Sequence, residues 1–391
     1  MKKYVPLIAV IIISFYNTST FASGASSNQY AVIVDAGSTG SRAHVFLYAK
    51  SLPEIPIPVI KDVFSQGSKP GLSSFVNKPS EAGASLKTIL DASAKYLQDN
   101  GVHLSQVPIK ILATAGMRLL TPPQQEAIYA DVRHYIKSHY AFSLNDQDVQ
   151  TISGVMEGVY DWLDVNYLLN NFLHPPDTVG SIDMGGASTQ IAFATTDVSM
   201  PDNEIAIDIN HTHYKVFSQS FLGLGQDQAL TAMTAHPSAA SCYPSGYSLG
   251  SGTEAGTGSR IGHFNFSICS NNYKNIIQNN HVAKNIISTQ GQNFIAFSAI
   301  YFNYKFFHLL QTPTQSALLA QIDTICYQPW AKLQAEYDGP YLASECANGV
   351  YFNDLLYNTY HLQDSQLTVT NQLNGTNIDW TLGALLYGLL R

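Results

Sequence analysis

The sequence predicts an α/β protein of two similar lobes, each a mixed sheet flanked by helices. Three observations carry this. A strand–turn–strand pattern with a Gly/Ser/Thr turn occurs near the N-terminus and again in mid-chain. A helical-looking run, VYDWLDVNYLLNNFL, lies just before the second copy. The 391 residues leave room for two domains of about 100–200 residues each, and 45% apolar content suffices for two cores.

At the N-terminus, Met1-Lys2-Lys3 is basic, Val5 to Phe15 is almost wholly apolar, and Thr20-Phe21-Ala22 offers small residues. That order predicts a secretory signal peptide over residues 1–22, and therefore a secreted protein, extracellular or periplasmic. No other run approaches the roughly 20 apolar residues of a membrane span. The run Leu382 to Leu390 is short and contains Gly383 and Gly388, so no permanent span is expected.

The first strand is Tyr30-Ala31-Val32-Ile33-Val34, ended by Asp35; after the turn Gly37-Ser38-Thr39-Gly40-Ser41, residues Ala43 to Tyr48 alternate as a hairpin partner. In the second copy, Ser181-Ile182-Asp183 ends a strand, Gly185 to Thr189 make the turn, and Gln190 to Phe193 leave it. Asp35 matches Asp183, and Gly37 matches Gly185. A lone Asp-x-Gly hairpin is an ordinary turn; two matched copies form a pattern. Glycines let the backbone approach a ligand, and successive free amides make an anion-binding nest. An Asp beside each nest suits a hydrated divalent cation that bridges phosphates. The paired turns therefore read as a polyphosphate cradle that uses Mg²⁺ or Ca²⁺.

The charge balance agrees. Only 12% of residues are charged and the net charge is -8, which argues against nucleic-acid binding, since that needs a basic stripe. Small anionic ligands held by local amides and a metal are not excluded. The four cysteines, Cys242, Cys269, Cys326 and Cys346, all lie in the second half. An even count in an exported chain predicts disulfides. Four cysteines allow three pairings, and the local one (Cys242–Cys269, Cys326–Cys346) is taken here. No CxxC or HxxxH spacing supports zinc. Residues 241–263 are Gly- and Ser-rich and read as a long surface loop.

Four segments in order, DAGSTGSR (35–42), ATAGMRLL (113–120), ISGVMEGVYDWLDVN (152–166) and DMGGASTQ (183–190), resemble those of the nucleoside triphosphate diphosphohydrolases, the apyrase family of the actin-like superfamily. SFLGLGQDQA (220–229), AFSAIYFNYKFF (296–307) and Trp380 extend the likeness over nearly the whole mature chain. It resembles a soluble, minimal member. The resemblance implies two actin-like (ribonuclease H-like) lobes with the active site in the cleft between them. The first runs over 29–160, joined by the C-terminal stretch 362–391; the second runs over 161–361.

It also implies a divalent-metal-dependent apyrase whose substrates are nucleoside tri- and diphosphates. In that reading Glu157 is the base that activates water, with Ser188 fixing the same water. Ser38, Thr39, Gly40, Ser41, Arg42, Thr114, Arg118, Gly186 and Ala187 hold phosphates, and Asp35 and Asp183 hold the metal. Asn166, Gln190 and Trp380 support them from behind. Tyr351 and Asn303, with Phe302 nearby, are expected at the nucleobase. His211 and His213 alternate on a strand and are expected as surface residues. Two other readings share the cradle: an exopolyphosphatase, and an actin-like nucleotide-binding module with slow turnover.

Overall fold

The computed structural model describes residues 28–51, 56–174, 177–197, 199–250 and 260–391. The segment expected to be a signal peptide, and residues 251–259 of the Gly/Ser-rich stretch, lie outside these.

The first sheet is built from β1 (Gln29–Ala36), β2 (Ser41–Ala49) and β3 (Val59–Ser68) as an antiparallel meander, with β4 (Ile109–Ala113) parallel to β1 and β5 (Val149–Thr151) parallel to β4. Its order is β3-β2-β1-β4-β5. The second sheet repeats it. β6 (Gly180–Met184) and β7 (Ser188–Ala194) form the hairpin, β8 (Glu204–Ile209) is an added edge, and β9 (Thr212–Leu222) pairs with β7. Strand Phe294–Ser298 runs parallel to β6, and Leu367–Val369 runs parallel to that strand. In register, Asp35 faces Arg42 and Asp183 faces Gln190. The two hairpins are thus equivalent position by position.

β1 is central and covered on both faces, which explains its unbroken apolar run. Val32, Val34 and Ala36 meet Ile89, Leu90 and Leu97 of helix Lys87–Asp99 and Ile128, Val132 and Ile136 of helix Pro122–His139. Ala31 and Ile33, on the opposite face, join a core shared by both lobes. That core contains Trp162 and Leu163 of the central helix Gly154–Leu168, Ala192 and Val216 of the second sheet, and Leu382 and Leu386 of the terminal helix Trp380–Leu389. A Cβ on Gly383 would collide with the carbonyl of Tyr160, so glycine permits the close seating of these two helices. The core of the second lobe is separate and aromatic, including Phe193, Phe217, Tyr273, Tyr304 and Phe352.

The lobe limits differ from those expected. The central helix is continuous across residue 160 and packs between the sheets, because its apolar residues meet both. Leu367–Val369 belongs to the second sheet, so within 362–391 it is the terminal helix that turns back towards β1 and the central helix. Both local disulfides form, Cys242–Cys269 and Cys326–Cys346. Among the described residues no helix is long and apolar enough to cross a membrane.

Candidate active site

The two Gly/Ser/Thr turns approach each other closely from the two lobes. A Cβ on Gly186 of the second turn would lie 2.7 Å from Ser38 Oγ of the first. Gly71 and Gly116 close on Ser38 from its own lobe, where added Cβ atoms would lie 2.6 Å from Ser38 O and 2.8 Å from Ser38 Cα. Three segments from both lobes therefore converge on this serine, and only glycine fits each of them. The carbonyls of Gly185 and Gly186 accept the Gln226 and Asp227 amides at 2.8 and 2.9 Å, which ties the second turn to helix Gln226–Ala235. Asp227 is a neighbour that sequence reasoning did not single out. Its carboxylate lies beside Gly186, and burial raises its pKa.

Asp35 and Asp183 end the matched strands. In each, Oδ1 is buried and has no hydrogen-bond partner. Burial, then the charges of Asp379 and Glu157, push Asp35 well above the usual carboxylate range. Burial pushes Asp183 up to about 6, against a hydrogen bond from Ser298. Two desolvated carboxylates with unpartnered oxygens fit a divalent cation. Among the described residues no group of three or more His, Cys, Asp or Glu could cage one directly, so the donor set suits an ion that keeps waters, as Mg²⁺ does. Ser41 is buried and its hydroxyl also lacks a partner. Buried Thr114 caps helix Ala115–Arg118, with its amide on Ala36 O at 3.3 Å.

Glu157 sits in the first turn of the central helix, which Ser153 caps by accepting the Met156 amide at 3.2 Å. Its Oε2 meets Arg118 Nη2 and accepts Gln190 Nε2 at 3.0 Å. The same Gln190 amide reaches Ser188 Oγ at 2.6 Å and Ser220 Oγ at 2.9 Å, and Arg118 Nη1 donates to Ser220 Oγ at 3.2 Å. A side chain at Gly154 would strike this network at Arg118 and Ser220, and one at Gly158 would strike Ser218 Oγ, which donates to Val155 O of the same helix. Burial raises Glu157 to about 7; Arg118 opposes the rise and Asp183 adds to it. Sequence reasoning missed Ser220. It pairs with Gln190 across β7 and β9 and opens the segment SFLGLGQDQA, so the available signal was there.

Several expected residues lie elsewhere. Arg42 is exposed, on the strand opposite Asp35. Asn166 is buried and fully engaged: Nδ2 donates to Trp162 O and Val179 O, while Oδ1 accepts Asn171 Nδ2 and the Val179 amide. It joins the central helix to the approach of β6. Trp380 stacks on Tyr160 at 6.2 Å in the shared core. The expectation for Tyr351 is not met. Its ring is fully buried against Tyr273 and its hydroxyl donates to Leu224 O at 2.6 Å, so no face is open to a base. Asn303 donates to Glu345, and Phe302 beside it is 59% exposed. His211 and His213 are exposed.

The profile of the GDA1/CD39 (nucleoside phosphatase) family matches residues 22–390. Probable apyrase 3 of Arabidopsis thaliana is 29% identical, over 95% of this chain and 86% of its own length. Ectonucleoside triphosphate diphosphohydrolase 2 of Rattus norvegicus is 30% identical, over 92% and 82%. Among solved structures, a nucleoside triphosphate hydrolase from Neospora caninum superposes with a TM-score of 0.67 at 16% identity, covering 93% of this chain and 92% of that one. A Ppx/GppA family member from Aquifex aeolicus does so with a TM-score of 0.55 at 13% identity, covering 93% and 98%. These two likenesses concern the fold.

Proposed function

The chain belongs to the GDA1/CD39 (nucleoside phosphatase) family, a hydrolase acting on acid anhydrides, and from that premise we propose a secreted apyrase. It hydrolyses nucleoside tri- and diphosphates stepwise to monophosphates, releasing one phosphate at each step, with a divalent cation. The observation that carries this reading is the convergence of Glu157, Gln190 and Ser188 beside two facing phosphate turns.

The mechanism follows from the residues. The turn around Ser38, Thr39, Gly40 and Ser41 and the turn around Gly186 and Ala187 grip the outer phosphates from opposite sides. Phosphoryl transfer asks mainly for positioning and charge stabilisation. Gln190 Nε2 bonds both Glu157 Oε2 and Ser188 Oγ, so carboxylate and hydroxyl are held as one unit. Glu157 takes the proton of a water that Ser188 orients, the water oxygen attacks the terminal phosphorus, and the bond from that phosphorus to the bridging oxygen breaks, so that oxygen and its electron pair leave with the shortened nucleotide. A carboxyl raised to about 7 is a better proton acceptor near neutral pH than an ordinary one. Arg118 lends positive charge to the phosphate oxygens, while Ser220 holds its other nitrogen. Asp35 and Asp183 would hold the cation through its waters, and the ion would neutralise charge developing on the phosphates.

Two disulfides support an oxidising compartment. The nucleobase is proposed beside Phe302 and Asn303. Phosphate release from ATP, ADP, AMP and inorganic polyphosphate tests the reading. Release from ATP and ADP but not AMP is expected. Release from polyphosphate alone would make this an exopolyphosphatase, and negligible turnover with tight ATP binding would make it a binding module.

A further inference from the structure

We infer that Asp161 is a positioning residue for Asp183, gripping it from the central helix through a buried water that Ser181 shares. The inference rests on the cation role proposed above for Asp183 and names what holds that carboxylate in place. Asp161 takes no part in the mechanism, yet it is wholly buried and neither of its oxygens has a partner. Its place over the second sheet follows from the register. Gln190 and Phe297 flank Asp183 on the two neighbouring strands. Gln190 reaches Glu157 of the central helix at 3.0 Å, so this row of side chains points at that helix. Val165 of the same helix packs with Ile295 and Phe297. Glu157, Asp161 and Val165 are four residues apart and form one stripe. The stripe starts over β7 and ends over the strand Phe294–Ser298, so its middle member lies over β6, which runs between them. The dimensions agree, since the helix rises about 12 Å from Glu157 to Val165 and two strand spacings span about 9.5 Å. The electrostatics agree too: after burial, the charges of Asp183 and then Glu157 push the Asp161 carboxyl well above its usual range.

Two further unpartnered atoms lie on this face of β6. Asp183 Oδ1 is one. The other is the hydroxyl of Ser181, a buried residue two positions earlier that shares the face of Asp183 by the two-residue period of a strand. Across the hairpin from Ser181 is Ala192, whose Cβ would lie 3.6 Å from a Cβ on Gly158 of the central helix. Two carboxyls and a hydroxyl thus converge between helix and strand with no direct bond among these atoms. Buried polar atoms of folded proteins are bonded to protein or to ordered water, and a buried water takes about three such partners. One carboxylate oxygen accepts two hydrogen bonds, so Asp183 Oδ1 can hold this water and one from the shell of the cation. The bridge ties the cation-bearing carboxylate to the helix that carries Glu157, and one rigid element then sets both. Stability alone does not call for Asp161, because an apolar side chain of similar volume would avoid burying a carboxyl beside two others.

The test follows Mg²⁺ binding to the full chain through its melting temperature, with no nucleotide present. Losing a group that orients a metal-holding side chain costs about 10–100-fold in metal affinity, and Asp161→Ala should weaken Mg²⁺ binding by that factor. Asp161→Asn keeps a polar group that can bond the water and should recover most of the loss. Ser181→Ala, which removes one hydroxyl and little volume, should cost about fivefold, the worth of one neutral hydrogen bond. The Mg²⁺ concentration for half-maximal ADP hydrolysis should rise in the same order. A merely structural residue would instead lower the metal-free melting temperature and leave Mg²⁺ affinity as it was, and that result overturns the inference. So does a loss in Asp161→Asn as large as that in Asp161→Ala, which would make charge the active property. If Asp161→Ala does not fold, Ser181→Ala decides, and unchanged Mg²⁺ affinity there overturns the inference. A wild type that responds to neither Mg²⁺ nor Ca²⁺ removes the cation reading and this inference together, whereas a wild-type response that all three variants keep removes this inference alone.

Discussion

His44 reaches one carboxylate with each ring nitrogen: Nδ1 lies 2.7 Å from Asp62, and Nε2 lies 3.1 Å from Asp379. Asp379 caps the terminal helix, accepting the Thr381 amide at 3.0 Å, and its own amide donates to Asp164 of the central helix at 2.8 Å. A buried histidine thus locks the first sheet to both helices. Burial alone would lower its pKa, but the close ion pair with Asp379 and the hydrogen bond to Asp62 raise it to about 10. Removing one partner of a buried pair costs about 3–5 kcal/mol, so His44→Gln should lower unfolding free energy by that order. The sign with pH is fixed. A folded pKa above the unfolded value of about 6.5 gives stability that is full below 6.5 and is lost as pH rises towards 10. Asp379, held below its ordinary pKa, gives stability above about pH 4 that is lost in acid. Urea titrations of both proteins should show the largest difference between about pH 4 and 6.5. An equal difference at pH 5 and pH 9 would refute the charged clamp.

Ser220→Ala removes the hydroxyl that bonds both Arg118 and Gln190. Neither partner is deleted, so the effect is on their alignment. A neutral hydrogen bond is worth about 1 kcal/mol and one to a charged group about 1.5–3 kcal/mol; since both partners stay and only their alignment is affected, kcat should fall roughly three- to tenfold while KM changes little. Ser220→Thr, which keeps the hydroxyl, should recover most of the loss. Equal losses in both variants would mean that packing is the cause.

What was legible in the sequence is local. Asp35 and Asp183 stand out because strand, turn glycines and carboxylate lie within ten residues, and the same local pattern exposes the duplicated sheet. The Glu157 network is half legible: Gln190 and Ser188 share the second motif, whereas Ser220 reaches them only through the pairing of β7 with β9. The clamp is illegible, because His44 and Asp379 come from opposite ends of the chain and meet only when the terminal helix folds back. Tyr351 was misplaced for a related reason. Its ring type suits stacking, but burial is decided by Tyr273 and Leu224, which no local pattern connects to it.

Chelation of divalent cations should abolish hydrolysis, and Mg²⁺ or Ca²⁺ should restore it. A second readout needs no substrate. A cation that binds the folded state alone stabilises it by about 2.7 kcal/mol at a hundredfold excess over Kd, so Mg²⁺ should raise the melting temperature. Asp183→Asn should blunt that rise. Full activity in excess chelator would remove the cation from the reading.

Glu157→Gln keeps size and shape but cannot accept the proton of a water. General-base catalysis contributes about 10²–10⁴-fold, so kcat should fall by that factor. Nucleotide affinity should hold or tighten, because the turns do the gripping and a negative charge beside a polyanion is gone. The wild-type pH profile supplies the sign. The base works when deprotonated, so kcat/KM should climb as pH rises to about 7, the value burial gives the free carboxyl. A cation that neutralises Asp183 would move this limb lower, since the Asp183 charge is one cause of the rise. In the variant the acid limb should vanish. A melt must accompany the assay, because Glu157 also contacts Arg118 and the loss of that buried contact could destabilise the cleft. A folded variant with normal turnover, or with the acid limb intact, would exclude Glu157 as the base.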